Sequence, residues 1–372
     1  MDQAISATRF ACRTRPQALA TLAVTAAALA WCMAAYLNRP TVPITSSGGS
    51  GGEDLRLYRR IAERVRAGAN YHDAAGDELR RRGYPTGSVF NWRPPTYAWV
   101  LGAALGPLGG QVLLIAIVIA ALLTAYTVER REGGRGRATA VVVLMVGAFL
   151  WCVDGDAFFA QELWAAALIA LSVGGYALGR WHLGLATGLL ALFFRELALP
   201  YALIAAFLAF RQGRRREAVL WAVGLALYAV FMVYHGMEVL RRITPADRVE
   251  ADGWVQFGGA RFLLSACGMN VLLFRLPAWV AAFYLVFSLL GLAGWRGETA
   301  ARVGLTAFAY TAAFAIIGKP YNCYWGLLFA PLLPFGLVRA PAALRDLFGA
   351  LRIATIRRAG VSPSVVRVSS GD

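Results

Sequence analysis

Residues Gln111–Val153 read QVLLIAIVIAALLTAYTV, then ERREGGRGR, then ATAVVVLMVGAFLWCV: two apolar runs on either side of a short turn that holds four arginines. A helix needs about 20 apolar residues to cross the hydrocarbon core of a bilayer, and each run approaches that length. Lys and Arg gather on the cytoplasmic side of spans. The stretch therefore reads as one helix coming in over Gln111–Val128, a cytoplasmic turn over Glu129–Arg137, and a second helix going out over Ala138–Val153. With 58% hydrophobic and 16% charged residues across 372 positions, the rest of the chain follows the same rule. No single soluble core could hide that much apolar surface. The fold class is all-α, a polytopic transmembrane helical bundle.

Outward from that pair, Arg9, Arg13 and Arg15 precede the apolar run Gln17–Leu37, which is too long for the core of a signal peptide and is read as a first span. A polar stretch over 38–93 follows, opening with the Ser/Gly-rich segment 45–52, and forms a large outer loop. Inside it Leu55, Tyr58, Ile61, Ala62 and Val65 recur at helical spacing, with Arg59, Arg60, Glu63, Arg64 and Arg66 on other faces. That pattern is an amphipathic helix suited to a membrane surface. Pro94–Leu105 is apolar but too short to cross, hence interfacial or re-entrant.

On the other side, 154–161 is a short outer loop and Glu162–Gly179 returns inward. Two short apolar helices, His182–Phe194 and Leu197–Phe210, flank Arg195 and Glu196 and end at the cluster Arg211, Arg214, Arg215, Arg216. Glu217–His235 runs out to a second outer loop over 236–270, followed by Leu276–Trp295, Thr299–Ile317 and Gly326–Val338. About ten spans result, in a single transmembrane domain over 1–338, with a loose basic cytoplasmic tail over 339–372. This topology puts a multi-pass protein in the plasma membrane with both termini in the cytoplasm.

The formal net charge of +16 does not signal nucleic acid, because the arginines sit between apolar runs rather than on a soluble patch. They suit anionic headgroups and lipid phosphates. Cys12, Cys32, Cys152, Cys267 and Cys323 show no ligand spacing, and the one conceivable bridge is Cys267 to Cys323.

Charged groups set against apolar segments are costly and mark candidate sites. Asp54, Arg93, Asp154, Asp156, Gln161, Glu162, Arg195, Glu196, His235 and Lys319 all fall near the outer side. Asp54 reads either as a helix-start charge or as a general base. Asp154-Gly155-Asp156 is a turn or a weak divalent-cation motif. Arg195 is a phosphate ligand or half of an ion pair with Glu196; Lys319, the single lysine, is a snorkelling residue or a second phosphate ligand. His72 and His235 can share an outer site. Tyr58, Tyr321 and Asn322 complete the substrate-binding candidates.

The stretch Asp54-Leu-Arg-Leu-Tyr58 through Ala67-Gly-Ala-Asn-Tyr71, then Phe90-Asn-Trp-Arg-Pro-Pro-Thr-Tyr97, resembles the first-loop pattern of the GT-C membrane glycosyltransferases, most closely the polyprenyl-phosphate-mannose-dependent α-1,2-mannosyltransferase-like family. Ala160-Gln161-Glu162, Arg195 and Pro200 resemble that family's Gly-Gln-Asn, Lys and Pro, with three substitutions. The resemblance spans roughly residues 17–218. It implies transfer of a sugar, mannose or another hexose or pentose, from a polyprenyl-phosphate donor to the hydroxyl of a glycan or glycolipid. Asp54 matches the family's base, and Arg195, Lys319 and Arg93 are the cations available for the phosphate. No cofactor is expected. A transporter or flippase for a lipid-linked sugar, or a non-catalytic relative, is the alternative.

Overall fold

The computed structural model describes residues 8–37, 50–249 and 256–358. Parts of the expected outer loops, 38–49 and 250–255, and the end of the tail, 359–372, lie outside the described residues. Every regular element among the described residues is helical. The principal helices are α1 (Arg15–Leu37), α2 (Ser50–Arg66), α3 (Tyr71–Arg81), α4 (Gly106–Phe149), α5 (Gln161–Ala177), α6 (Trp181–Phe194), α7 (Leu199–Arg211), α8 (Arg215–Leu240), α9 (Gly259–Cys267), α10 (Ala278–Gly294), α11 (Glu298–Ile316) and α12 (Ala340–Arg358).

Four helical stretches are long and apolar enough to cross a membrane: α1, the run from α4 to Val153, α8 and α11. A bent pair, Tyr321–Leu328 with Leu333–Arg352 at 63°, brings the number to five. The ten spans of the sequence reading are not reached: the run from α4 is long enough for two of them, but α5, α6, α7 and α10, at 17, 14, 13 and 17 residues, stop short. At 44 residues, α4 is twice the length of one crossing, and at Gly134 (φ 80°) it leaves helical geometry in the middle of the basic turn. Its two arms are the two apolar runs that the sequence set apart.

Charge clusters separate the ends of the bundle. At one end Arg339 lies over the Trp295 ring at 3.6 Å and reaches Glu129 and Glu132 at 2.8 Å each. Arg296 donates to the Thr8 carbonyl, the Thr8 amide donates to Asp346, and Arg214 pairs with Glu298. Both described chain ends, two arginine-rich turns (129–137 and 211–216) and the turn at Arg296 thus meet at one end. The tail is not loose throughout: α12 packs on α1 and α10 through Ala343 and Leu347, both fully buried.

Opposite lies the end that holds the candidate site. Tyr58, Ile61, Ala62 and Val65 bury one face of α2 while Arg59 and Arg60 stay exposed, as the spacing predicts; Leu57 is buried with them, and Leu55 is only partly buried. Burying each such large apolar side chain is worth roughly 1.5–3 kcal/mol. That face rests on the short helical segment over 96–104, where Gly102 passes so close that a Cβ would stand 2.5 Å from the Ala62 carbonyl oxygen. Only glycine permits this approach. Arg80 and Thr86 both donate to Asp247, and the Gly87 amide donates to the Arg248 carbonyl, so the second outer loop clamps the first.

Candidate functional site

Asp54 lies one turn inside α2, not at its cap, because the helix begins at Ser50. Its carboxylate is half-buried and accepts a hydrogen bond from the Tyr84 hydroxyl. Burial pushes its pKa up, opposed by that bond and by the positive charge of Arg93. The group is thus more basic than an ordinary aspartate.

Two cavities meet at this carboxylate. The first, of about 330 Å³, is walled by Asp54, Arg93, Asn91, Asn322 and six tyrosines. The second, of about 460 Å³, is walled by Asp54, Leu55, Arg56, Trp151, Asp154, Asp156, Glu162, Met269 and Leu327 among others. Asp54, Tyr58 and Tyr324 belong to both. The second cavity borders apolar surface: Leu150, Val153, Leu272 and Phe274 are exposed there, and the Trp151 ring meets Phe274 edge-on at 5.9 Å.

Behind the first cavity, Arg93 donates from Nε to the Tyr58 hydroxyl at 3.0 Å and from Nη2 to the Tyr324 hydroxyl at 3.2 Å, and its Nη1 faces Glu196 at 3.8 Å. Glu196 pairs in turn with Arg195, whose Nε lies 2.7 Å from Glu162 in an ion pair without hydrogen-bond alignment. Arg195 stands in extended backbone between α6 and α7 because Pro200, in the first turn of α7, cannot continue a helix from upstream. The chain Arg93, Glu196, Arg195, Glu162 is therefore a row of alternating charges, buried at Arg195 and Glu162.

Of the three cations expected at a phosphate, Arg93 alone lines either of these two cavities. Arg195 is held between two carboxylates, the ion-pair alternative of the sequence reading, and the pair includes Glu162 as well as Glu196. Lys319 is buried, with Nζ 5.7 Å from the centre of the Tyr321 ring. Arg56, which drew no notice in the sequence, lines the second cavity and has no carboxylate partner among the described residues. Asp154 and Asp156 line that cavity too, with Asp156 3.2 Å from Arg59. Among the described residues no group of three or more His, Cys, Asp or Glu side chains is placed to hold a metal ion, and all five cysteines are free thiols.

His72 and His235 do come together, at 3.1 Å between Nε2 and Nδ1, both buried. His235 Nε2 lies 3.4 Å from the Trp92 carbonyl, which can only accept, so His235 Nδ1 accepts and His72 donates. Burial, then His235 and Arg242, bring the His72 pKa down to about 4. The pair ties α3 to α8 and lines neither cavity. Gln161 is fully buried with neither amide atom partnered. Tyr84 and Tyr324 were not singled out in the sequence, and Tyr71, Asn91 and Tyr97 stood there only inside the quoted motifs, without a site role; the density of aromatic residues over 84–99 and 321–325 was the available signal.

No protein-family model matches the chain, and no curated protein matches it. Among solved structures it is similar to ArnT from Cupriavidus metallidurans in the apo state, with a TM-score of 0.49 and 16% identity over 93% of this chain and 65% of that one. The same protein bound to undecaprenyl phosphate gives a TM-score of 0.47 and 15% identity over 92% and 63%. The chain spans less than two thirds of the length of these proteins.

Proposed function

We propose that the protein is a membrane glycosyltransferase that moves a sugar from a polyprenyl-phosphate donor to an acceptor hydroxyl, with Asp54 as general base. The observation that carries the reading is the position of Asp54 on the wall common to two cavities, one bordered by lipid-facing apolar surface and the other lined with hydroxyl and amide groups. An isoprenoid stem suits the flank formed by Trp151, Leu272 and Phe274, and the reacting bond then falls beside the carboxylate.

In the reaction the acceptor oxygen forms a bond to the anomeric carbon while the bond from that carbon to the phosphate oxygen breaks, and the phosphate departs with the electron pair. Asp54 takes the hydroxyl proton as attack proceeds, since a carboxylate is far too weak a base to remove it beforehand. Arg56 in the second cavity and Arg93 in the first are the cations nearest the departing phosphate; a fixed cation in such a site lowers the barrier by a few kcal/mol, on the order of 3. The arginine-rich end faces the cytoplasm under the positive-inside rule, so transfer takes place at the outer face. Mannose or another hexose or pentose is the sugar that the first-loop resemblance suggests.

The test uses the purified protein in vesicles with a radiolabelled polyprenyl-phosphate sugar. Asp54→Asn should lose transfer by about 10²–10⁴-fold with unchanged thermal melting. Wild-type turnover in that variant would remove Asp54 from the mechanism, and movement of intact donor across the bilayer without transfer would favour the flippase.

A further inference from the structure

We infer that Asp247, on the second outer loop, is a positioning residue for the transfer: it fixes the turn that carries Tyr84 and so keeps the Tyr84 hydroxyl on the Asp54 carboxylate. The inference rests on the transferase reading and adds to it a residue that governs the base without touching the reacting atoms.

Tyr84 stands in no helix, between the end of α3 at Arg81 and the next helical turn at Val89. Upstream, α3 closes through Gly83 (φ 73°), with the Gly83 amide donating to the Arg80 carbonyl and the Tyr84 amide to the Leu79 carbonyl, each at 3.0 Å. Downstream, Thr86 lies two residues further on. Asp247 grips both flanks: Arg80 donates to it from Nε and Nη2 at 2.9 Å each, and the Thr86 hydroxyl donates to it at 2.5 Å. The neighbouring residue follows suit, since Arg248 donates from Nη2 to the Gly83 carbonyl at 3.2 Å. A Cβ at Gly87 would stand 3.1 Å from the carbonyl oxygens of both Asp247 and Arg248, so the two loops touch backbone to backbone. From the inner side, Asn91 and Trp92 donate to the carbonyls of Pro85 and Thr86. One hydrogen bond to Asp54 does not outweigh the entropy of ordering such a turn, so the position of Tyr84 is set by these holds.

The chemistry of Asp247 suits the task. Besides Arg80 and Thr86, the Thr244 amide and hydroxyl donate to it at 2.7 and 3.1 Å, and its side chain is 4% exposed. Five donors fill the lone pairs of one carboxylate, two of them in the planar fork of an arginine. Asparagine cannot replace it, because its amide nitrogen would face Arg80 or the Thr86 and Thr244 donors.

The charged and titratable groups that act on Asp54 are Tyr84, Arg93, Glu162 and Glu53. Of these, Tyr84 alone lies on the turn that Asp247 holds. Its bond favours the ionised carboxylate, so releasing the turn raises the Asp54 pKa and carries the acid limb of transfer to higher pH.

The test follows the titration of Asp54 in the full chain in nanodiscs, by infrared difference spectroscopy of the carboxyl band that Asp54→Asn removes, alongside the pH–rate profile of transfer. Asp247→Asn should move both to higher pH, in the direction of Tyr84→Phe and no further. On the acid limb transfer should fall about two- to tenfold, the worth of one hydrogen bond, and return toward the wild-type rate at higher pH. Thr86→Val removes a bond to Asp247 but no charge, and should give a smaller shift of the same sign. In the double variant Asp247→Asn, Tyr84→Phe the shift should match that of Tyr84→Phe alone, because both changes remove the same bond. Thermal melting confirms folding, and Thr86→Val carries the test should Asp247→Asn not fold. An unmoved Asp54 titration in either folded variant, a loss of transfer equal at every pH, or additive shifts in the double variant would each overturn the inference. The expected infrared shifts in a protein that transfers nothing would leave the positioning role and remove the transferase. Asp54-dependent transfer with unmoved titrations would do the opposite.

Discussion

The bundle has a charge cluster at each end, built from the same residue types. At the arginine-rich end, Arg339 is enclosed by Glu129, Glu132 and the Trp295 ring and is joined through Glu129 to Arg137. At the other end, Arg93, Arg195, Glu162 and Glu196 are paired to one another in a comparable way, but two cavities open against them and Asp54 stands outside the pairing. Pairing alone therefore does not distinguish a brace from a site. What distinguishes them is the carboxylate held by a neutral hydroxyl instead of an arginine, beside space for a ligand.

That contrast can be broken from either side. The largest effect is expected at Asp54, where Asn should cost about 10²–10⁴-fold in transfer and leave the melting temperature in place. Arg339→Ala should do the reverse: uncovering a buried carboxylate costs about 3–5 kcal/mol, read as a lower denaturation midpoint, with activity per folded molecule retained. Should Arg339→Ala abolish transfer in protein that remains folded, the two ends would not be separable.

Arg195→Gln sharpens the comparison because it removes a brace within the site. Both stability and activity should fall, and Arg195→Lys should recover part of the stability, as one charge without the planar fork. Full activity in Arg195→Gln would separate the brace from the chemistry. A smaller effect is expected from Tyr84→Phe. The Tyr84 hydroxyl lowers the Asp54 pKa, so its loss lets burial raise that pKa further. Since the base works only when ionised, the acid limb of the pH–rate profile should move to higher pH, and an unmoved limb would argue that a different group titrates.

The smallest effect belongs to the histidine pair. His72 ordinarily titrates near 6.5 and is held down to about 4. The unfolded chain thus binds a proton that the folded chain refuses, and stability falls as pH drops from about 6.5 toward about 4. His72→Gln should flatten that slope in a melting series, while an identical slope would place the proton elsewhere.

Much of this architecture was legible in the sequence, because spans and basic turns are written in runs of residues. The helical face of α2, the break at Arg195 and the division of α4 at its glycine-rich turn all followed from local pattern. The span count did not, since α6 and α10 are as apolar as true spans and differ only in where neighbouring chain stops them. Asp54 was found through its place in a motif, and its environment was not: Tyr84 reaches it from 30 residues away and Tyr324 from 270. The surroundings of the phosphate candidates were hidden for a related reason. A sequence shows that Arg195 is charged but not that Glu162 neutralises it.

Three side chains, Asp54, Tyr58 and Tyr324, form a party wall between the chambers. Reshaping that wall to admit a new partner on one side necessarily alters the fit on the other. Retuning one half of the reaction alone must therefore work through tenants of a single chamber, Asn91 and Tyr321 on one side or Trp151 and Met269 on the other.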